Sequence, residues 1–268
     1  MIIRAIGGFL VVALTLLSLK AGALYFGAFW LLVTAFAHQE AYSMTKFKVL
    51  GRVYIFCMCI HLASLLILLQ KFESMKKIYD LDVLILSPVL FLILAIFNYT
   101  EQNKDEFFED FGRGFLMFSY VVFFFSPMIV LLLNVKSSLS LILLLFCIMW
   151  LQDTFAYFGG RAFGKHKFSQ YLSPKKTWEG SIIGILVMMG VLYTVHQNFG
   201  FIFKDYFLLC LFIIGIAGQI GDLLESCFKR CLSVKDSGWI IPGHGGVLDR
   251  FDSVTAGALC ALYLLLIF

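Results

Sequence analysis

Residues 139–158 read LSLILLLFCIMWLQDTFAYF. At a rise of 1.5 Å per residue, this run makes an α-helix about 30 Å long, the thickness of a bilayer's hydrocarbon core. It carries a single charge, Asp153, in its last turns. A carboxylate at the end of a membrane span is costly unless it faces a cavity or a partner. The stretch therefore predicts a membrane helix and marks one end of it as chemically special.

Working outward, comparable apolar runs fall at 5–19, 21–37, 54–70, 83–97, 115–134, 180–197, 206–228 and 253–268. A single helix over 5–37 would be about 50 Å long, too long for one crossing. The reading is therefore a tight hairpin at Leu19-Lys20-Ala21-Gly22. The runs lack the alternating pattern of outer-membrane strands. The predicted fold is all-α, a polytopic membrane protein of about nine transmembrane helices, with 1–268 forming a single integral membrane domain.

Composition agrees. Of 268 residues, 61% are hydrophobic, 17% aromatic and only 14% charged, against about half apolar and a quarter charged in soluble domains. This excludes a water-soluble or disordered chain. A net charge of +4 without a basic run excludes a nucleic-acid partner. The seven cysteines are odd in number, lack zinc spacing and read as small buried hydrophobes. The apolar N-terminus reads as a retained first helix rather than a signal peptide, because many spans follow.

With nine crossings, alternate loops lie on opposite sides. The N-terminus and loops 38–53, 98–114, 159–179 and 229–252 carry 15 of the 21 Lys and Arg residues. The positive-inside rule places that side in the cytoplasm, with the N-terminus in and the C-terminus out.

Two polar regions open to that side. The first runs from Asp153 to Arg161 and continues at Ser173-Pro174-Lys175-Lys176-Thr177-Trp178-Glu179-Gly180. Ser173-Pro174 reads as a helix N-cap followed by proline at the first helical position. Lys175 and Lys176 would then lie in a first helical turn, where cations oppose the helix dipole and a bound anion would offset them. The plainer alternative is a cytoplasmic basic flank. Gly180 and Gly184 read as a small-xxx-small packing pair, which also allows a homodimer.

In the second region, Asp222, Glu225, Ser226 and Lys229 are spaced to share one helix face. Gly215, Gly218 and Gly221 permit close helix contact. An Asp222–Lys229 pair satisfying itself is the plainer alternative. Lys229-Arg230, Lys235-Asp236 and Gly243-His244-Gly245-Gly246 follow, then Asp249, Arg250 and Asp252 at the start of the last helix. Asp249 and Asp252 suit a helix N-terminus by charge alone. They would meet Asp222 if the last two helices are neighbours, giving hard oxygen ligands beside cations, as a magnesium–phosphate site needs. His244 is a lone histidine, suited to a phosphate contact or a loop hydrogen bond rather than to zinc.

Residues 226–252 closely resemble the signature of the phosphatidate cytidylyltransferase (CDP-diacylglycerol synthase) family. It reads here Ser226-x-Phe228-Lys229-Arg230-x4-Lys235-Asp236-x-Gly238-x2-Ile241-Pro242-x-His244-Gly245-Gly246-Val247-x-Asp249-Arg250-Phe251-Asp252. The segments 153–161 and 173–180 look like that family too. The resemblance implies the reaction CTP + phosphatidate → CDP-diacylglycerol + pyrophosphate, in phospholipid biosynthesis. It also implies magnesium, with potassium as a second ion, and an active site at the cytoplasmic face of a bacterial inner membrane. On this reading residues 1–150 are N-terminal helices and 151–268 hold the catalytic helices and cytoplasmic loops. Asp222 and Asp249 are the metal ligands the resemblance implies, with Asp153, Asp236 and Asp252 as secondary candidates. Lys229, Lys235 and Arg250 join them as catalytic residues clamping phosphates. Lys175, Lys176, Ser226, Arg230, His244, Gly245 and Gly246 are the expected substrate-binding residues. Two rivals stand beside this reading: an ion-coupled carrier using Asp153 and Asp222, and a CTP-using enzyme acting on another lipid phosphate. The carrier is disfavoured because polar residues cluster on one side and no inverted repeat is evident.

Overall fold

The computed structural model describes residues 2–70, 82–100, 104–135, 137–199, 206–241 and 245–267. Nine helices are found among them: α1 Ile2–Ala21, α2 Ala23–Thr45, α3 Gly51–Gln70, α4 Asp82–Phe97, α5 Lys104–Asn134, α6 Ser138–Phe163, α7 Trp178–Phe199, α8 Phe207–Cys231 and α9 Leu248–Ile267. Six are long and apolar enough to cross a membrane: α3, α5, α6, α7, α8 and α9. The chain is an all-helical integral membrane protein. The break at Gly22 separates α1 from α2, at a φ of 116° that glycine adopts without steric cost.

Several helices outrun their apolar cores. α2 continues eight residues past 37 to Thr45, α5 begins at Lys104 and α6 ends at Phe163. The loops read at 38–53 and 98–114 are thus largely helical, and α6 takes the first residues of the loop read at 159–179. Polar residues at a span's end keep the helix going because the backbone stays paired beyond the hydrocarbon. Of the lysines read on the opposite face, Lys71, Lys76, Lys77, Lys136 and Lys204 lie outside the described residues.

Two compact units divide the chain, one of Met1–Val135 with Cys231–Arg250, the other of Lys136–Arg230 with Phe251–Phe268. The core of the first unit is aromatic. Trp30 stacks on Phe26 and Phe125 and donates its indole N–H to the Phe125 carbonyl at 2.8 Å. A buried polar chain runs through the same unit, with His38 contacting Tyr54 at 3.2 Å and His61 at 2.9 Å, and His61 contacting Ser126 at 2.8 Å. These groups satisfy one another inside an apolar core.

The start of α3 is held from α5. Asp110 is buried, and one of its carboxylate oxygens accepts the backbone N–H groups of Lys48 (2.9 Å), Val49 (2.6 Å) and Leu50 (2.9 Å). These donors lead into α3, where the helix cannot supply acceptors. Asp110→Ala is expected to lower stability by about 2–3 kcal/mol, since it strands buried donors that had a charged acceptor. Thermal unfolding in detergent measures this, and an unshifted melting temperature would contradict it.

In the second unit, α6 and α7 pack at backbone contact. A Cβ on Gly180 would lie 2.6 Å from the Ala156 carbonyl oxygen and 2.9 Å from the Gly160 Cα, and one on Gly184 would lie 2.7 Å from the Gln152 carbonyl oxygen. The small-xxx-small pair is therefore used inside the chain and offers no seam to a second copy. The close approach of α8 to α9 also holds, with Gly221 against the Asp252 carbonyl and Ala256.

The segment after α6 departs from expectation. Lys167–Ser169 (β1) and Ser173–Thr177 (β2) form an antiparallel hairpin, with Lys167 opposite Thr177 and Ser169 opposite Ser173. Lys175 and Lys176 therefore lie on a strand, not in a first helical turn. Pro174 biases Ser173 to extended backbone, and the capping role passes to Thr177, whose hydroxyl accepts the Gly180 N–H at 3.2 Å. Glu179, in the first turn of α7, ties back to the hairpin's entrance through the Lys165 and His166 N–H groups and the His166 ring.

All seven cysteines are free. Cys57 and Cys210 are buried as expected of small hydrophobes, whereas Cys59 and Cys231 are exposed. At both positions the side chain points off the packed face of its helix.

Candidate active site

Within the second unit, Asp153 and Arg161 on α6, Lys175, Lys176 and Thr177 on β2, Ser181 on α7, and Gln219 and Asp222 on α8 line one cavity of about 410 Å³. Gln219 is anchored by its amide, which donates to the Ser181 carbonyl at 3.3 Å. The Lys176 ammonium forms an ion pair with the Asp222 carboxylate, and both side chains keep partial access to solvent. The Ser226 hydroxyl donates to the other Asp222 oxygen at 3.4 Å.

Lys229 turns elsewhere. It pairs with Glu225 one helical turn away, at 2.5 Å, and both are shielded. The alternative of a self-satisfying Asp222–Lys229 pair does not form, because Lys176 occupies Asp222 and Glu225 is the nearer partner for Lys229. Asp252 is buried and lies within electrostatic reach of Asp222, Glu225 and Asp153. Asp153, Asp222, Glu225 and Asp252 thus share a region with Lys175, Lys176, Lys229 and Arg161.

The first unit holds the loop into α9. One Asp249 oxygen accepts the N–H of Ser237 (2.9 Å) and of Gly246 (2.8 Å) and contacts the Ser237 hydroxyl at 3.0 Å. Gly245, at a φ of 85°, carries the chain past Asp249, and a Cβ there would sit 2.5 Å from that same oxygen. The loop is pinned from afar by Glu40 on α2. Its carboxylate accepts the N–H groups of Val247 (2.7 Å) and Leu248 (3.0 Å) and the Ser237 hydroxyl (2.8 Å).

Lys175, Lys176, Asp153 and Asp222 are brought together with Ser226, and Asp252 lies near them. Asp249, Gly245 and Gly246 form a second group. Lys235, Asp236 and Arg230 are exposed, and their side chains make no hydrogen bond or ion pair among the described residues. Arg250 is exposed at the start of α9, and His244 lies outside the described residues. Sequence reading passed over Glu40 and Ser237, and it assigned no role to Arg161, Ser181 or Gln219. Glu40 left one signal, as the lone carboxylate of the first 72 residues at the end of an apolar run.

The family model described as the cytidylyltransferase family matches residues 2–268. The chain belongs to that family. Among its curated relatives, the phosphatidate cytidylyltransferase of Staphylococcus saprophyticus is 35% identical over 254 residues, 94% of each chain. That of Rickettsia conorii is 48% identical over 121 residues, 42% of this chain and 53% of the relative. That of Rickettsia typhi is 40% identical over 148 residues, 52% of this chain and 65% of the relative. The chain thus spans little more than half of one Rickettsia relative, whereas its match to the staphylococcal relative runs nearly end to end. The cytidylyltransferase match takes in both residue groups, the cavity in the second unit and the Asp249 loop in the first.

For a divalent metal, the donor chemistry fits. Asp222, Asp252 and Asp153 are hard oxygen donors in one region, beside lysines suited to phosphate. Among the described residues, no three Asp, Glu, His or Cys side chains form a ready-made metal cage. Magnesium takes one or two protein carboxylates and fills its remaining positions with water and substrate phosphates.

Proposed function

We propose that this cytidylyltransferase makes CDP-diacylglycerol from CTP and phosphatidate in phospholipid biosynthesis. The observation that carries the reading is the cavity in which Lys175, Lys176 and Arg161 face Asp153 and Asp222. Such a wall of cations beside carboxylates suits a polyphosphate and its counter-ion.

A phosphatidate phosphate oxygen forms a bond to the α-phosphorus of CTP, and the bond from that phosphorus to the bridging oxygen breaks, releasing pyrophosphate. The attacking oxygen is already an anion, so no protein nucleophile is needed. The chain's task is positioning and charge neutralisation. Lys176 exchanges its Asp222 partner for a substrate phosphate, and Lys175 adds a second point charge. Arg161 offers two parallel donors to one phosphate group. Lys229, Arg230, Lys235 and Arg250 supply further cations to the triphosphate, with Ser226 orienting Asp222, and with His244 and the Gly245-Gly246 backbone lining the phosphate path. Asp222 and Asp249 are the residues that would hold magnesium, with Asp153, Asp236 and Asp252 as secondary candidates and potassium as a second ion. The chemistry such an ion would supply is neutralisation of phosphate charge as pyrophosphate departs.

The acyl chains stay in the bilayer, and the site faces the cytoplasm of a bacterial inner membrane, with the N-terminus inside and the C-terminus outside. The purified protein in detergent, given labelled CTP, phosphatidate and magnesium, is expected to yield labelled liponucleotide and pyrophosphate. Turnover of a polyprenol phosphate but not of phosphatidate would reassign the lipid, and no consumption of CTP would overturn the reading.

A further inference from the structure

The Asp249 loop is held by a residue far outside the motif that contains it. Glu40 stands on α2, some 200 residues earlier in the chain, yet one of its oxygens accepts the Val247 N–H and the other accepts the Leu248 N–H and the Ser237 hydroxyl. Val247 and Leu248 enter the first turn of α9, whose donors have no acceptor within the helix. Glu40 therefore caps α9 in place of a local side chain, and the residue is 3% exposed. Its closeness also accounts for two glycines of the motif. A Cβ on Gly238 would lie 2.5 Å from a Glu40 oxygen, and one on Gly246 would overlap both the Ser237 hydroxyl and the Glu40 carboxylate.

Ser237 joins this anchor to Asp249. Its hydroxyl lies 2.8 Å from Glu40 and 3.0 Å from Asp249, while its N–H donates to Asp249 at 2.9 Å. A hydroxyl carries one proton and can donate to one carboxylate at a time. The orientation of Asp249 is thus linked to the position of Glu40 through Ser237 and through the Gly246 N–H.

We infer that Glu40 is a positioning residue that sets the affinity of Asp249 for the divalent cation, acting through Ser237 and the N-terminus of α9. This rests on the assignment of Asp249 to metal binding in the proposed reaction. Outer-shell hydrogen bonds of this kind orient a ligating carboxylate, and their loss costs about 10–100-fold in metal affinity.

The test uses the full chain in detergent with Mn²⁺ as probe, its binding followed by electron paramagnetic resonance, beside turnover at varied Mg²⁺, CTP and phosphatidate. Glu40→Gln keeps the size but replaces one acceptor oxygen by an NH₂ that opposes the N–H groups. Ser237→Ala removes the link alone and leaves both carboxylates and the cap of α9 in place. In both variants Mn²⁺ affinity is expected to fall about tenfold or more. The half-saturating Mg²⁺ concentration rises in parallel, and the KM for phosphatidate stays unchanged. In Glu40→Gln, hydrogen exchange at the Val247 and Leu248 amides also accelerates. The double variant is expected to be no worse than Glu40→Gln, because both act on one path. If Glu40→Gln does not fold, Ser237→Ala decides. Wild-type Mn²⁺ affinity in a folded Ser237→Ala protein, or additive effects in the double variant, would overturn the inference while leaving the reaction assignment intact. A wild-type protein that binds Mn²⁺ but makes no liponucleotide would instead overturn the reaction assignment on which the inference rests.

Discussion

Replacing Asp222 by Asn is expected to lower CDP-diacylglycerol formation by about 10²–10³-fold while leaving the protein folded. Asparagine keeps the shape of the side chain on α8 and can still accept from Ser226. It removes the charge that holds Lys176 in place and that faces the cavity between α6, β2 and α8. The loss therefore falls on electrostatic preorganisation rather than on packing. Two further readouts separate the roles assigned to Asp222. If the carboxylate binds magnesium, the Mg²⁺ requirement of the variant rises. If it only restrains Lys176, then Lys176→Met should mask the effect of Asp222→Asn in the double variant. A kcat/KM within a few-fold of wild type, in protein with an unaltered melting temperature, would remove Asp222 from the site.

The second large effect is steric. Gly246→Val should depress both stability and turnover. Even a single Cβ at Gly246 meets the Ser237 hydroxyl and the Glu40 carboxylate, and neither can retreat without giving up hydrogen bonds. Ser237 would leave Asp249, or Glu40 would leave the Val247 and Leu248 N–H groups. Overpacking of this kind costs about 1–3 kcal/mol, and stranded buried donors add to that. Displacing a reacting group by about 1 Å costs on the order of 10² in rate, so turnover should fall further than the folded fraction does. Gly190 on α7 provides the control, since a Cβ there has nothing within 4 Å. Gly190→Ala should leave turnover unchanged and stabilise the exposed helix interior by about 1 kcal/mol. Equal tolerance at Gly246 and Gly190 would refute the crowding argument.

The helical membrane fold was legible in the sequence because a bilayer imposes a length and a polarity that any spanning helix must meet. The run 139–158 satisfies both, and the observed helix is Ser138–Phe163. The break at Gly22 was legible too, since a continuous apolar run of 33 residues is longer than one crossing can hold. The helix ends were not, because hydropathy marks where lipid stops rather than where the backbone stops coiling, as α2 shows by running on to Thr45. The hairpin at 167–177 was misread for a related reason. Ser-Pro suits a helix start and an edge strand alike, and the pairing of Lys167 with Thr177 decides between them.

For the candidate site, sequence determined the inventory: carboxylates, lysines and glycines gathered near the ends of α6, α8 and α9, and the spacing of Asp222, Glu225, Ser226 and Lys229 along one face. Tertiary structure decided the partners. Spacing along a helix reveals neighbours one turn away, such as Glu225 and Lys229. It is silent on a lysine reaching Asp222 from a strand 46 residues earlier, or on Glu40 capping a helix 208 residues later. Those pairings depend on which surfaces pack, and packing is a property of the whole fold rather than of any local pattern.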